Sequence, residues 1–256
     1  MIHPTAIIDP SARIAQNVAI GPYSIIGPDV EIGQGTSIGP HVVIKGPTKI
    51  GKDNKIIQFV SLGEDPQDLK FRGEKTCLEI GDRNVIREFC TFNRGTVQDK
   101  TTTRVGDDNL FMAYVHIAHD CQVGNNTIFA NNASLAGHVI VEDHVILGAF
   151  SGVVQFCRVG KYSFASKGAL IGKDVPPFVK VAGFDAQPAG LNTVGMQRRG
   201  LSAETMLNLR RAYKIIYRKG LLLKDALAEL QKMITECPEV QLFIDFIQAS
   251  QCGIVR

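Results

Sequence analysis

The stretch IDPSARIAQNVAIGPYSIIGPDVEIGQGTSIG, residues 8–39, sets an isoleucine at every sixth position: Ile8, Ile14, Ile20, Ile26, Ile32 and Ile38. The same register runs back to Ile2 and forward through Ile44, Ile50, Ile56 and Leu62, then returns at Ile80, Ile86 and Phe92. After a second break it resumes one position out of phase. It then holds from Val105 through Phe111, Ile117, Val123, Phe129, Leu135, Val141, Leu147, Val153 and Val159 to Ala165 and Ile171. Apolar residues are 45% of the chain, so a run this long without a polar exception is not chance. Helices repeat at 3.6 residues and strands at 2.0, so neither explains a period of six. The chain must turn every six residues. Glycine often follows the aliphatic, as at Gly21, Gly33, Gly51, Gly81, Gly106 and Gly124, and Asn or Asp often stands nearby. Both tolerate the positive φ of a tight corner. Hexads of this kind predict a mainly β protein, a parallel β-helix of three flat sides with an 18-residue rung, coils stacked about 4.8 Å apart and the aliphatics inside.

The helix of coils is expected over residues 1–190, with loops inserted near 63–79 and 94–104, and a C-terminal helical domain over 191–256. From Ser202, an expected N-cap, Met206, Leu209, Tyr213 and Ile216 follow helical spacing until Gly220. Further helices are expected at 223–236 and 238–250, with Pro238 in a first turn.

Composition narrows the class. The 256 residues carry a net charge of +3, 21% charged side chains and no Trp, which suits a folded globular chain rather than a disordered one. No apolar run is long enough for a membrane span, and the opening residues lack a signal peptide's basic and apolar regions, so a cytoplasmic location is expected. Six cysteines without a C-x-x-C pair suggest neither a zinc ribbon nor a disulfide framework.

A regular solenoid has no cleft of its own, so chemistry is expected where the pattern breaks or at an edge. Four of the six histidines, His116, His119, His138 and His144, fall within 29 residues. An 18-residue rung puts positions 119, 137 and 155 in one column, bringing His119, Gly137 with its neighbour His138, and Gln155 to one outer edge. A neutral histidine can take a proton from a hydroxyl, and Asp120 can fix its tautomer. Corner histidines bonded to backbone are the plainer alternative. A zinc site is a third, although no structural ligand pattern accompanies His116 and His119. Cys121 reads as a small hydrophobe rather than a nucleophile. The 46–53 segment approaches a P-loop but lacks its final Ser or Thr and stays in hexad register. The 63–79 loop carries Asp68 and Lys70. The second loop is polar and reads as a corner decoration. Between 198 and 224, eight basic residues face Glu204 alone, a patch for phosphates or an acidic protein, with no aromatic interleaving or motif to suggest nucleic acid.

These features together, Gln67-Asp68-Leu69-Lys70, His116-Ile-Ala-His119-Asp120-Cys121, Ala136-Gly137-His138, Gln155-Phe156-Cys157, Asp174-Val-Pro-Pro177 and Arg198-Arg199-Gly200, resemble the acyl-ACP:UDP-N-acetylglucosamine O-acyltransferases of bacterial lipid A biosynthesis. The similarity runs nearly end to end. It implies a left-handed β-helix, against the usual crossover preference. It also implies a homotrimer without cofactor or metal that transfers an (R)-3-hydroxyacyl chain from acyl carrier protein to the 3-hydroxyl of UDP-N-acetylglucosamine, the carrier docking on 198–224. By resemblance, His119 is the general base, Asp120 assists it, and the Gly137 N–H donates to the oxyanion. Asp68, Lys70, His116, His138 and Gln155 hold the sugar nucleotide, and Asn192, Arg198 and Arg199 meet the nucleotide and its phosphates. Val154 stands where the family often has histidine and Val194 where it is often acidic. Lys167 stands where a small residue is common and is a candidate acyl-chain ruler. A flat-sided prism cannot exclude water from a thioester, so a second chain is expected as the other wall, with Asp68 and Lys70 reaching across. A 3-amino acceptor, a CoA-dependent acetyltransferase, a zinc lyase resembling γ-type carbonic anhydrases and a non-catalytic scaffold remain the competing readings.

Overall fold

The structure is a computed structural model that describes residues 1–256. The short strands gather into three parallel sheets, each one face of a left-handed prism. The first face has nine strands, from Ile7–Ile8 to Leu170–Ile171, and the second has eight, from Arg13–Ile14 to Arg158–Val159. The third has ten, beginning at Ala19–Ile20 and ending with Val179–Ala182 and its antiparallel partner Gln187–Leu191. No helix is long and apolar enough to cross a membrane.

The pairings reproduce the hexad arithmetic. Ile7 pairs with Ile25, Ile25 with Val43 and Val43 with Ser61, each eighteen residues on. Ser61 then pairs with Thr91 and Thr91 with His116, steps of thirty and twenty-five. The first excursion therefore adds twelve residues, two whole hexads, and the phase survives. The second adds seven, a hexad plus one, which is why the register slips by one.

From Ile20 onward the ladder residues are buried, Phe92, Phe111 and Phe129 completely, whereas Ile2, Ile8 and Ile14 on the opening coil are not. A first coil has no layer beneath it, so its inward side chains have a neighbour on one side only. At the other end, α1 (Thr193–Arg198), α2 (Ala203–Tyr217), α3 (Leu223–Gln231) and α4 (Val240–Gln248) pack on the last coils. Ser202 caps α2 by accepting from the Thr205 N–H at 3.0 Å, and Gly220 lies beyond its end with φ +66°. The last two helices are shorter than their spacing predicts, and α1 is an addition. The Phe178 and Phe243 rings lie 5.7 Å apart, joining helices and coils in one apolar core.

The glycines serve a purpose other than the one expected. Of those after ladder residues, Gly63 alone has positive φ, and the left-handed corners are taken by residues such as Asp120, His138, Phe156 and Tyr162. Gly33 shows what most of the others do: a Cβ there would lie 2.5 Å from the Gly51 carbonyl oxygen one coil above. Close approach between coils, not backbone freedom, excludes a side chain. The bulky corner residues recover their strain by stacking, as in the Tyr23, His41, Phe59, Phe89 and Tyr114 series with ring centroids 4.8–5.3 Å apart.

Replacing Phe111, wedged between Phe92 and Phe129 at 4.9 Å each, by Ala should cost about 3–5 kcal/mol. Urea unfolding followed by circular dichroism measures it, and a midpoint equal to wild type would remove the ladder as the source of stability.

Candidate active site

Both excursions leave the prism at the same edge. Each departs after a first-face strand, Ser61–Glu64 or Thr91–Asn93, and rejoins at a second-face strand, Cys77–Ile80 or Thr102–Val105. On the next coil that edge carries His119 and Asp120, and on the one after it Gly137 and His138. The looped-out chain thus walls in the edge that carries His119 and His138.

Asp120 has no solvent exposure and His119 8%. The Nδ1 of His119 is 2.9 Å from Oδ2 of Asp120. A carboxylate only accepts, so Nδ1 carries the proton and Nε2 is left with a lone pair. Burial alone would raise the Asp120 carboxyl. Hydrogen bonds from His119 and from the Thr96 hydroxyl and N–H outweigh it and hold the group below the usual carboxylate range. His138 repeats the arrangement one coil up, its Nδ1 2.8 Å from Oδ2 of Asp99, with its ring edge-on to His119 and stacked on Phe156. His116 is half-buried and its Nδ1 lies 2.7 Å from the Thr91 hydroxyl. Desolvation pushes its pKa below the ordinary range against an opposing contribution from the Thr91 backbone, and His119 adds to the shift.

Gly137 abuts the His119 imidazole. A Cβ on it would fall 2.6 Å from Cε1 and 2.7 Å from Nε2 of His119, and its N–H donates to no group of the protein. A lone pair and an unspent main-chain donor therefore lie side by side. They open into a cavity of about 610 Å³ lined by Gln67, His116, His119, Gly137, Val154 and Gln155, with Gly152 and Leu170 farther along the first face. A neighbouring cavity of about 600 Å³ shares Gln155 and adds Asp68, Lys70, Thr96, Asp99 and His138.

The sequence expectations divide accordingly. His116, His119, Asp120, Gly137, His138, Gln155, Asp68 and Lys70 come together within one chain. Asp68 and Lys70 need no second chain to reach the site, because the twelve-residue excursion folds back over its own edge. His144 parts from the other histidines. It stacks on Tyr162 at the edge between the second and third faces, where burial first and Arg199 second push it below the usual range. There it lines a cavity of about 490 Å³ with Asn192, Arg198 and Arg199. These three are therefore on a different edge from His119. The Asn192 amide is also engaged, donating to the Tyr162 carbonyl and capping α1 through Gly195. Val194 is exposed on α1. Lys167 is exposed at the third edge, between the third and first faces, and lines neither histidine cavity. Cys121 is buried, its thiol pushed up to about 12 by desolvation, so it is no nucleophile. The second excursion is not a decoration, since it supplies Thr96 and Asp99. Counting by eighteens does not place the loops on the His119 edge, because the steps of thirty and twenty-five across them are not multiples of eighteen.

The ligand atoms of His119, Asp120 and His138 lie within 4.8 Å of one another, near enough to bracket a cation. Each histidine instead directs Nδ1 at a carboxylate, the arrangement of a proton-transfer site.

Fold and edge thus define a hexapeptide-repeat acyltransferase. The bacterial transferase hexapeptide model matches residues 11–46 and 102–137, and the second-domain model of UDP-N-acetylglucosamine O-acyltransferase matches 174–255. The acyl-(acyl-carrier-protein)–UDP-N-acetylglucosamine O-acyltransferase of Thiobacillus denitrificans is 61% identical, covering 100% of this chain and 99% of the relative. That of Pseudomonas aeruginosa is 57% identical with the same coverage. The solved LpxA of Acinetobacter baumannii superposes with a TM-score of 0.98 at 52% identity, covering 100% and 99% of the two chains. The chain belongs to the acyl-(acyl-carrier-protein)–UDP-N-acetylglucosamine O-acyltransferase family.

Gly137→Ala should place its methyl group against the imidazole and lower turnover at least 100-fold, the scale of a lost general base, while the circular dichroism spectrum keeps its β-helical form. Near-normal turnover would separate Gly137 from the base.

Proposed function

We propose that this chain catalyses the first step of lipid A biosynthesis, transferring an (R)-3-hydroxyacyl chain from acyl carrier protein to the glucosamine 3-hydroxyl of UDP-N-acetylglucosamine. The observation that carries the mechanism is the His119 lone pair held beside the free Gly137 N–H. Nε2 of His119 takes the proton of the acceptor hydroxyl as its oxygen attacks the thioester carbonyl. Charge gathers on the carbonyl oxygen, where the Gly137 N–H donates to it. Collapse breaks the carbon–sulfur bond, and the imidazolium returns its proton to the departing thiolate. Asp120 stabilises the imidazolium between the two transfers. No covalent acyl-enzyme is needed.

Asp68, Lys70, His116, His138 and Gln155 hold the sugar nucleotide beside the base. Asn192, Arg198 and Arg199 bind its phosphates, for which guanidinium forks are well suited, and do so from a neighbouring copy in a homotrimer. Their position on another edge of the same chain supports this, as does the openness of a site that must keep water from a thioester. The basic residues from Arg198 to Lys224 all point to solvent and suit the acidic carrier protein. Lys167, at the third edge, measures the acyl chain only from across such an interface.

In a radiolabelled transfer assay with UDP-N-acetylglucosamine and hydroxyacyl carrier proteins of several lengths, His119→Ala should lose about 10²–10⁴-fold. A rate near wild type excludes His119 as the base. Mixing His119→Ala with Arg199→Ala chains under subunit exchange should recover activity that neither has alone. No recovery would put both residues in a site of one chain.

A further inference from the structure

We infer that Thr96 and Asp99, both on the seven-residue excursion, are positioning residues of this reaction, Thr96 holding the Asp120–His119 pair and Asp99 holding His138. The inference rests on the acyl transfer proposed above.

The need for such residues follows from the coil geometry. At the corners above, the left-handed residue donates its N–H to the carbonyl one coil below: His138 to His119 at 3.0 Å, and Phe156 to Gly137 at 3.2 Å. Asp120 has no such carbonyl beneath it, because there the chain has left the prism. Its N–H donates instead to the Thr103 hydroxyl at 2.8 Å. The space so opened takes in the carboxylate, and Thr96, 1% exposed, closes over it. The Thr96 N–H lies 3.0 Å from both carboxylate oxygens, and its hydroxyl donates to Oδ2 at 2.6 Å. With His119 on Oδ2 as well, the carboxylate is held from two directions. It cannot rotate without breaking bonds to two residues, so the imidazole plane is fixed with it.

Asp99 acts at the next coil. By accepting from Nδ1 of His138 it leaves Nε2 as an acceptor toward the cavity, and Phe156 stacking fixes the ring plane. Its own charge is balanced by Lys100 at 3.7 Å. The seven added residues thus orient two histidines, not one.

The test separates positioning from scaffolding through kcat, KM and pH. The groups facing the dyad are His116, His138 with its Nδ1 3.9 Å from Asp120, Asp99 with Lys100, and the Cys121 thiol. None is altered by Thr96→Val, which keeps the main-chain donor and loses only the hydroxyl. One hydrogen bond to a charged group corresponds to about a tenfold effect or more, so kcat should fall about tenfold with KM little changed. Fewer donors on Asp120 leave more of its negative charge to favour imidazolium, so the acidic limb of kcat/KM should move to higher pH. Thr96→Ser should restore both. If Thr96→Val does not fold, Thr96→Ala against Thr96→Ser reads the same hydroxyl. Asp99→Ala should appear about tenfold in KM for the sugar nucleotide rather than in kcat. Wild-type kcat and an unmoved limb without the hydroxyl would overturn the Thr96 role, and an unchanged KM that of Asp99. Full activity in His119→Ala would instead sink the transfer mechanism itself, so the two failures are distinguishable.

Discussion

Parallel pairing across one coil is the constraint from which the rest of this structure follows. Each short strand finds its hydrogen-bond partners about 4.8 Å above and below, in segments eighteen residues away, so the chain must return to the same lateral position on every turn. Inward aliphatics supply the cohesion for that return. Glycines such as Gly33 supply the clearance, since a single Cβ there would strike the next coil. Stacked rings at the left-handed corners offset the strain of bulky residues at positive φ, a conformation that the sequence pattern assigns more readily to Gly, Asn or Asp.

The same constraint accounts for where chemistry sits. A regular coil uses its main-chain donors and acceptors in the ladder and presents flat faces. Interrupting it at one edge does two things together. Chain is added to wall a cavity, and a corner loses its usual carbonyl partner, which makes room for a buried carboxylate. Asp120 and the imidazole it orients occupy that gap. The Gly137 N–H, on the next coil, remains unspent.

The phosphate-binding candidates obey another rule. Asn192, Arg198 and Arg199 belong to the turn into the helical cap, which packs where the last coils leave the core open. That location is set by cap packing, not by the repeat, and it falls on a different edge from His119. Within one chain, the guanidinium groups of Arg198 and Arg199 therefore do not reach the edge of His119.

Much was legible in the residues alone. The hexad is a local period, so the three-sided coil, the buried ladder and the column linking His119, Gly137 and Gln155 all follow from counting. Ser202 as a cap and Gly220 as a stop are likewise local signals. Asp68 and Lys70 were legible as site candidates, though not their reach within a single chain. Other features depend on chain segments whose relative placement no period encodes. Thr96 meets Asp120 across a loop whose path is set by where it leaves and rejoins the prism. His144 looks like a member of the histidine cluster along the chain, yet six residues beyond His138 is one corner away in space. The repeat therefore determined the fold and the presence of an imidazole beside an amide. The tertiary structure alone decided which groups surround that imidazole, because a hydrogen bond between distant residues exists only once both corners have been brought to the same edge.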